Sequence, residues 1–486
     1  MKKSPHRRWF FLPHAVVSAS VLLLFMPCLL KAADRKEPPV NKYGASLVDA
    51  AGRPIQYDKD SLETMARRTG TTQATASAAR TTKVIGPAGF APAGTPPDES
   101  VAWQNNALHD GYNPASRLVP PLTLKWSRDF SGSGVTSISY PLIAQGLVFI
   151  TTATANFDNA LLALDEHTGA TIWSADVGGS NFANAAYDSG KVFVVNGDGL
   201  MKAFDAAVGT LLWSVSLPGQ YSFTSPPTAV NGIVFTGGAG SGGTVYAVDE
   251  TNGAVLWMMP VENGDHSSPA VTQGKVFVSY ACPQSYSFDA TSGQQLWHYS
   301  SCCGGGGGKT PVVHAEQVYV RDDYCDQTGG LVLDANTGTV VRGFDSDRLP
   351  AFFGDLALFL QSGTLRAVDS NGQVLWSFAG DGDLTSAPLI ANQTIYIGSN
   401  SGTLYGLNAT GQQIWSTQVG APIPAPDEHN FFLTTGLGAG DGLLIVPAGS
   451  VFPAASVLAA YGPCDGRCPP TPRPRPAPAP RPTPPR

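Results

Sequence analysis

Ser301 to Pro311 read SCCGGGGGKTP. Lys-Thr after a glycine run is how a phosphate-binding loop ends, and two adjacent cysteines are the makings of a redox centre. A third option is a glycine-rich turn stapled by disulfides. The phosphate reading fails on spacing. With Lys309 as the motif lysine, the first glycine of G-x-x-x-x-G-K-[ST] falls on Cys303. Pro311 and the strand-like PVVHAEQVYV follow, so no helix N-terminus stands ready for a phosphate. A nucleotide is therefore not the expected ligand. Other polar groups fall in glycine-rich connections: Asn181, Tyr221, Asp265, His266, Lys309, Asp381, Asp383, Asp427, Glu428 and His429. Acidic links bearing histidine could hold a metal or form a binding site, but no Ser-His-Asp or HExxH pattern points to hydrolysis.

What positions these residues is an internal repeat. ALDEHTGATIW ends at Trp173, AFDAAVGTLLW at Trp213, AVDETNGAVLW at Trp257 and SFDATSGQQLW at Trp297. AVDSNGQVLW ends at Trp376 and GLNATGQQIW at Trp415, while VLDANTGTVVR puts Arg342 at the tryptophan position. Each unit reads as four short strands. In residues 267–300 these are SSPAV, KVFVSY, SYSFD and QQLWHYS, separated by Gly/Asn/Asp/Ser turns. One four-stranded antiparallel sheet per repeat of about 40 residues predicts an all-β, eight-bladed β-propeller. Seven blades run from about Pro141 to Gly420. The eighth ends near Tyr461 without an outer strand, which the orphan LTLKWSRDF around Trp126 supplies, closing the ring. On this reading the chain before Asn113 is dispensable. Asp165, Asp205, Asp249, Asp289, Asp334 and Asp369 open the turns, where a carboxylate accepts turn N–H groups.

The meander also sorts the site residues. The turn between a blade's second and third strands shares a face with the link to the next blade. Asn181, Tyr221, Asp265, His266, Lys309, Asp383, Asp427 and His429 all fall on that face. So do Cys282, Cys302, Cys303 and Cys325, and the expected bonds are Cys282–Cys302 and Cys303–Cys325. Cys464 and Cys468 could close a separate small loop.

Composition agrees with an exported β protein. The chain has 486 residues, with 14% charged residues, 54 glycines and 39 prolines, which favours many short strands. Residues 1–33 combine a basic start, an apolar run and Ala32-Ala33, the pattern of a signal peptide. Removing them takes away five Lys/Arg and no acids, leaving 25 basic against 37 acidic residues, a net charge of −12. That balance argues against nucleic acid. Six cysteines remain, which fits disulfides outside the cytoplasm. The expected layout is a flexible lead over 34–100, a propeller over 101–462 and a Pro/Arg-rich tail over 463–486. The tail holds eleven prolines and five arginines and should be extended polyproline II.

A-x-D-x-x-T-G-x-x-x-W, complete at Ala163 to Trp173, resembles the tryptophan-docking motif of quinoprotein (PQQ-type) propellers. The resemblance spans about residues 126–461. It implies the propeller fold but no single activity, since that superfamily holds both PQQ dehydrogenases and cofactor-free scaffolds such as the periplasmic lipoprotein that helps assemble outer-membrane barrels. The dehydrogenases carry a disulfide between adjacent cysteines beside the quinone, so Cys302-Cys303 keeps a PQQ- and calcium-dependent reading open. In that family, however, the pair comes early in the propeller, and no calcium or catalytic set is recognisable here. The expected function is a monomeric, non-catalytic binding or scaffold module, periplasmic or secreted. Its expected partner is a protein or an envelope polymer, with no nucleotide and no integral membrane segment. A PQQ/calcium alcohol or sugar dehydrogenase and a secreted polymer-binding enzyme are the alternatives.

Overall fold

The computed structural model describes residues 97–466 apart from 157, 179–181, 281–283, 301–307, 324–328, 427, 429–432, 450–454 and 465. The expected signal peptide, most of the lead and most of the tail lie outside these residues.

The repeat grammar folds as read. Blade 2 is the plain case: Ala183–Asp188, Lys191–Asn196, Leu200–Asp205 and Leu211–Ser216 pair in order as an antiparallel meander. The inner three strands are largely buried and the fourth is largely exposed, as a wall of the ring requires. Eight such sheets form the propeller, and two short 3-10 turns are the described helical structure. Blade 8 closes as expected. Leu122–Asp129 lies antiparallel to Val457–Pro463, with Trp126 opposite Ala460. An early strand and the last thus share one sheet, which closes the ring.

Seams between blades are sealed by the repeat residues. Trp173 donates its indole N–H to Ala206 O of the next blade at 3.0 Å, and Trp213 to Glu250 O at 2.9 Å. The ring lies over the next blade's turn glycine: a Cβ on Gly209 would sit 2.5 Å from Trp173. Gly209 also has φ +71°, which glycine alone adopts without cost. The motif aspartates cap these turns, as when Asp165 Oδ1 accepts from the backbone N–H of Thr168 at 2.8 Å.

One expectation needs correction. The stretch before Asn113, expected to tolerate truncation, is built into the fold from at least Ser100 onward. Ser100, inside the expected lead, is buried and bridges Ile143. From there the backbone crosses the central channel. Val101 O accepts from Tyr187 N–H, Ala107 O from Val271, Leu108 O from Val313, Asp110 O from Phe352 and Gly111 O from Ile390. Tyr112–Asn113 then pairs in parallel with the inner strand Leu389–Ala391. The inner strands of a propeller leave backbone groups facing the axis, and this segment satisfies them.

Candidate functional site

The plug lies at the ends of the inner strands nearest the first-to-second-strand turns, so it stops the channel on that face. Trp103, Gln104, Asn105 and His109 are all buried there. His109 is held between Trp103 O (2.7 Å from Nδ1) and Pro269 O (3.2 Å from Nε2). Burial pulls its pKa down to about 4, so it is neutral near pH 7.

The opposite end is where the sequence placed its candidate face. Its centre is an ion pair that the sequence only half disclosed. Arg321, from the second strand of blade 5, reaches Glu428 in the link into blade 8. Arg321 NH1 donates to Glu428 Oε2 at 2.9 Å and NH2 to Oε1 at 2.5 Å, and both side chains are almost wholly buried. Burial raises the cost of charging Glu428, but Arg321, with Lys309 and Arg348 further out, outweighs it and holds the carboxyl below its ordinary range. Lys309 donates to Arg321 O at 3.5 Å. Arg348 is anchored on Thr385 O at 3.1 Å and Asp347 O at 2.9 Å.

Asp265 and His266 form a second group. Their Oδ2 and Nε2 are 3.4 Å apart and both side chains are mostly covered. Burial pushes the Asp265 carboxyl up to about 6, and its buried Oδ1 has no hydrogen-bond partner among the described residues. Asp265 O also accepts from Gly308 N–H at 3.2 Å, tying two links together. Gly308 ends the glycine run, and a Cβ there would meet Ser279 O at 2.2 Å. The run thus ends in a close backbone crossing rather than a phosphate cradle.

The other expected site residues divide as follows. Tyr221 is exposed on this face, with its hydroxyl on Gly240 O at 2.8 Å and its ring over that glycine. Asp381 accepts from Ser399 at 2.8 and 2.7 Å, and Asp383 from Asn400 at 2.9 Å, so both brace a loop of blade 7. Asn181, Asp427 and His429 lie outside the described residues, as do Cys282, Cys302, Cys303, Cys325 and Cys468. Cys464 is disulfide-bonded. Sequence reasoning missed Arg321 and Arg348. The signal for Arg321 was a lone cation ending the apolar run QVYV, a position that side-chain alternation makes internal.

Among the described residues, no three His, Cys, Asp or Glu side chains converge as metal ligands. Calcium takes six to eight oxygens, and the carboxylate best placed in the channel, Glu428, is committed to Arg321. The described residues therefore do not fit a calcium–quinone site.

Comparison with known proteins places the chain. A family model described as outer membrane protein assembly factor BamB matches residues 157–242, 241–341 and 329–436. The BamB of Shewanella oneidensis is 28% identical over 228 residues, 44% of this chain and 50% of that protein. The chain thus spans half the length of that relative. The dehydrogenase subunit of a quinone alcohol dehydrogenase from Gluconacetobacter polyoxogenes is 31% identical over 203 residues, 35% of this chain and 27% of that one. Among solved structures, BamB from Moraxella catarrhalis superposes with TM-score 0.50 at 18% identity, covering 70% of this chain and 99% of that one. The quinohemoprotein alcohol dehydrogenase of Comamonas testosteroni gives 0.60 at 13% identity, covering 75% and 80%. At such identities the structures speak for the fold alone. With more than half its length matched by the family model, its eight blades and its tryptophan-sealed seams, the chain belongs to the PQQ-type propeller family described as outer membrane protein assembly factor BamB.

Proposed function

We propose that the protein is an exported, non-catalytic binding or scaffold module of the cell envelope. It engages a protein or envelope polymer through the charged face around the open end of its channel. The observation that carries this reading is how the polar groups there are used. Arg321 and Glu428 neutralise each other in a buried bidentate pair, and the far end of the channel is stopped by the chain itself. Among the described residues, neither arrangement leaves a nucleophile, base and acid around a substrate-sized space. Family membership supports the same reading, because an assembly factor works by holding other proteins. Among the described residues, no helix is long and apolar enough to cross a membrane.

The test is site-specific photocrosslinking in the producing cell. A photoreactive residue at Tyr221, on the open face, should give discrete adducts, and one at Leu212, on the outer wall of blade 2, should not. The competing reading is a PQQ/calcium dehydrogenase, favoured by the likeness to the quinone alcohol dehydrogenase. It wins if purified protein given PQQ and calcium reduces dye while Tyr221 captures nothing. Export itself is read from the mature mass, which should correspond to a start near Asp34.

A further inference from the structure

Seven of the eight seams are sealed by an indole. Trp126, Trp173, Trp213, Trp257, Trp297 and Trp376 each lie so close to the next blade's turn glycine that a Cβ there would sit 2.4–2.7 Å from the ring. Trp415 docks on Leu122 O at 3.1 Å. Between blades 5 and 6 the pattern stops. The position is Arg342, and a Cβ on the receiving glycine, Gly372, would meet nothing within 4 Å.

The difference goes beyond one residue. In the six regular blades from 1 to 7, the docking tryptophan faces a small cross-strand neighbour: Ala163, Ala203, Ala247, Ser287, Ala367 or Gly406. Arg342 faces Val332. Phe149, Phe193, Phe235 and Phe277 each stand 5.9 Å from their own blade's tryptophan. Blade 5 has Tyr319 in that register. Its hydroxyl accepts from Arg342 NH2 at 3.1 Å, with the guanidinium carbon 5.9 Å from the ring centre. Arg342 therefore keeps the contact within its blade and gives up the contact across the seam. The space left behind is an open cleft of about 160 Å³, with Phe344, Phe359, Val368 and Val374 as apolar walls and Arg342, Asp345, Arg366 and Asp369 among its polar ones.

We propose that this seam is a docking slot for an aromatic side chain, flanked by a carboxylate, on a partner polypeptide. It rests on the protein-binding reading above and adds a second contact on the outer wall. The aromatic ring is argued from the slot's apolar walls, Phe344, Phe359, Val368 and Val374, at a seam position that an indole fills between the other blades. The carboxylate is argued from spare donors. Arg342 and Arg366 both line the slot, and each spends one recorded donor, on Tyr319 and on Gln361 respectively, of the five a guanidinium carries. The two acids lining the slot, Asp345 and Asp369, keep their charge but are held by Gln361 and by their own turn, and no bond from either to the two guanidiniums is seen among the described residues. A polypeptide is argued from the surroundings. The slot opens between two outer strands, Val340–Phe344 and Val374–Phe378, whose outer edges are unpaired and whose Val341 and Leu375 are about half exposed. An extended chain can lie along such an edge.

Fluorine NMR on the full chain tests this, using a short peptide with 5-fluorotryptophan between two glutamates, the same peptide with lysines, and free 5-fluoroindole. The glutamate peptide should bind at least tenfold tighter than either of the others. Tyr319→Phe/Val332→Ala/Arg342→Trp fills the slot, and should weaken that binding at least tenfold and raise the thermal midpoint. Should that variant not fold, Arg342→Ala decides: the preference for glutamate should shrink while 5-fluoroindole still binds. Equal affinity for 5-fluoroindole and the glutamate peptide overturns the polypeptide occupant. Equal affinity for the two peptides overturns the carboxylate. Absence of binding, or unchanged binding by the folded filled variant, overturns the slot. If the slot fails while Tyr221 still crosslinks, the wider function stands. If both fail, both readings fall.

Discussion

The two ends of the central channel solve one problem by different physics. Inner strands meet around an axis where backbone groups and polar side chains are cut off from water. At the stoppered end, backbone answers backbone: residues 100–111 feed carbonyls to the inner-strand N–H groups of blade after blade. At the open end, side chains answer one another, with Arg321 on Glu428 and Asp265 beside His266. The first solution depends mainly on chain path, with Gln104, Asn105 and Asn113 adding side-chain bonds. The second depends on a few residues and is easily rewritten, which suits the end proposed to meet a partner.

The largest expected effect breaks the stoppered end. A chain begun at Asn113 keeps every blade strand but loses the plug, and should fail to give a cooperative unfolding transition by circular dichroism. Recovery of a normal transition would make the plug an ornament. At the open end, Arg321→Ala leaves Glu428 buried and unpaired, at a cost of about 3–5 kcal/mol in urea unfolding. Adding Glu428→Gln to that variant should restore part of the loss.

pH sharpens the contrast. On the stoppered face, Glu250 is buried next to Asp188, and its pKa is raised to about 8 by burial and that neighbour. Its folded-state pKa lies above the unfolded one, so the folded chain binds an extra proton between about pH 4.5 and 8. Stability from this group should fall with rising pH by about 1.4 kcal/mol per unit across that window. Glu250→Gln should flatten that slope. Glu428 runs the other way: its lowered pKa gives stability that is present above the unfolded value and lost as pH falls through the folded one. Asp265, raised to about 6, acts in the same sense as Glu250, so the comparison is made by single variants rather than by whole faces.

Gly111→Ala is a smaller test of the plug. Gly111 has φ +66°, and a Cβ would lie 2.9 Å from Ala351 Cβ, for a cost of about 1–3 kcal/mol. Smallest is Asp383→Asn, which alters a loop brace near the surface and should cost less than about 0.5 kcal/mol.

The ring was legible because its information is periodic. Asp, Gly and Trp recur at fixed offsets, and the one irregular segment, around Trp126, had a single vacant strand to fill. The plug was not legible because most of its bonds to the inner strands are made by carbonyls, which leave no residue-type signature. WQNNALHDGYN has no alternation, and its burial follows only from where the chain travels. The open end was half legible. Link residues such as Asp265 and Lys309 could be assigned to one face by counting strands, but their partners could not, since Arg321 and Glu428 are 107 residues apart. Arg342 was visible as a departure from the motif. That it left a cleft depended on Tyr319 and Val332, which only the strand register connects to it.

Ring closure has a consequence for how the molecule comes to exist. Leu122–Asp129 finds its partner at Val457–Pro463, and Asn113 reaches Ala439 O, 326 residues away. The segment made earliest among the described residues thus cannot complete its contacts until the last blade is available. Loop-closure entropy must be met before those contacts form, so the final step of folding should be slow relative to blade formation. Until then the plug sequence and one bare strand edge of blade 8 stay exposed, and that interval, rather than the native state, is when this chain is most open to aggregation or to a chaperone.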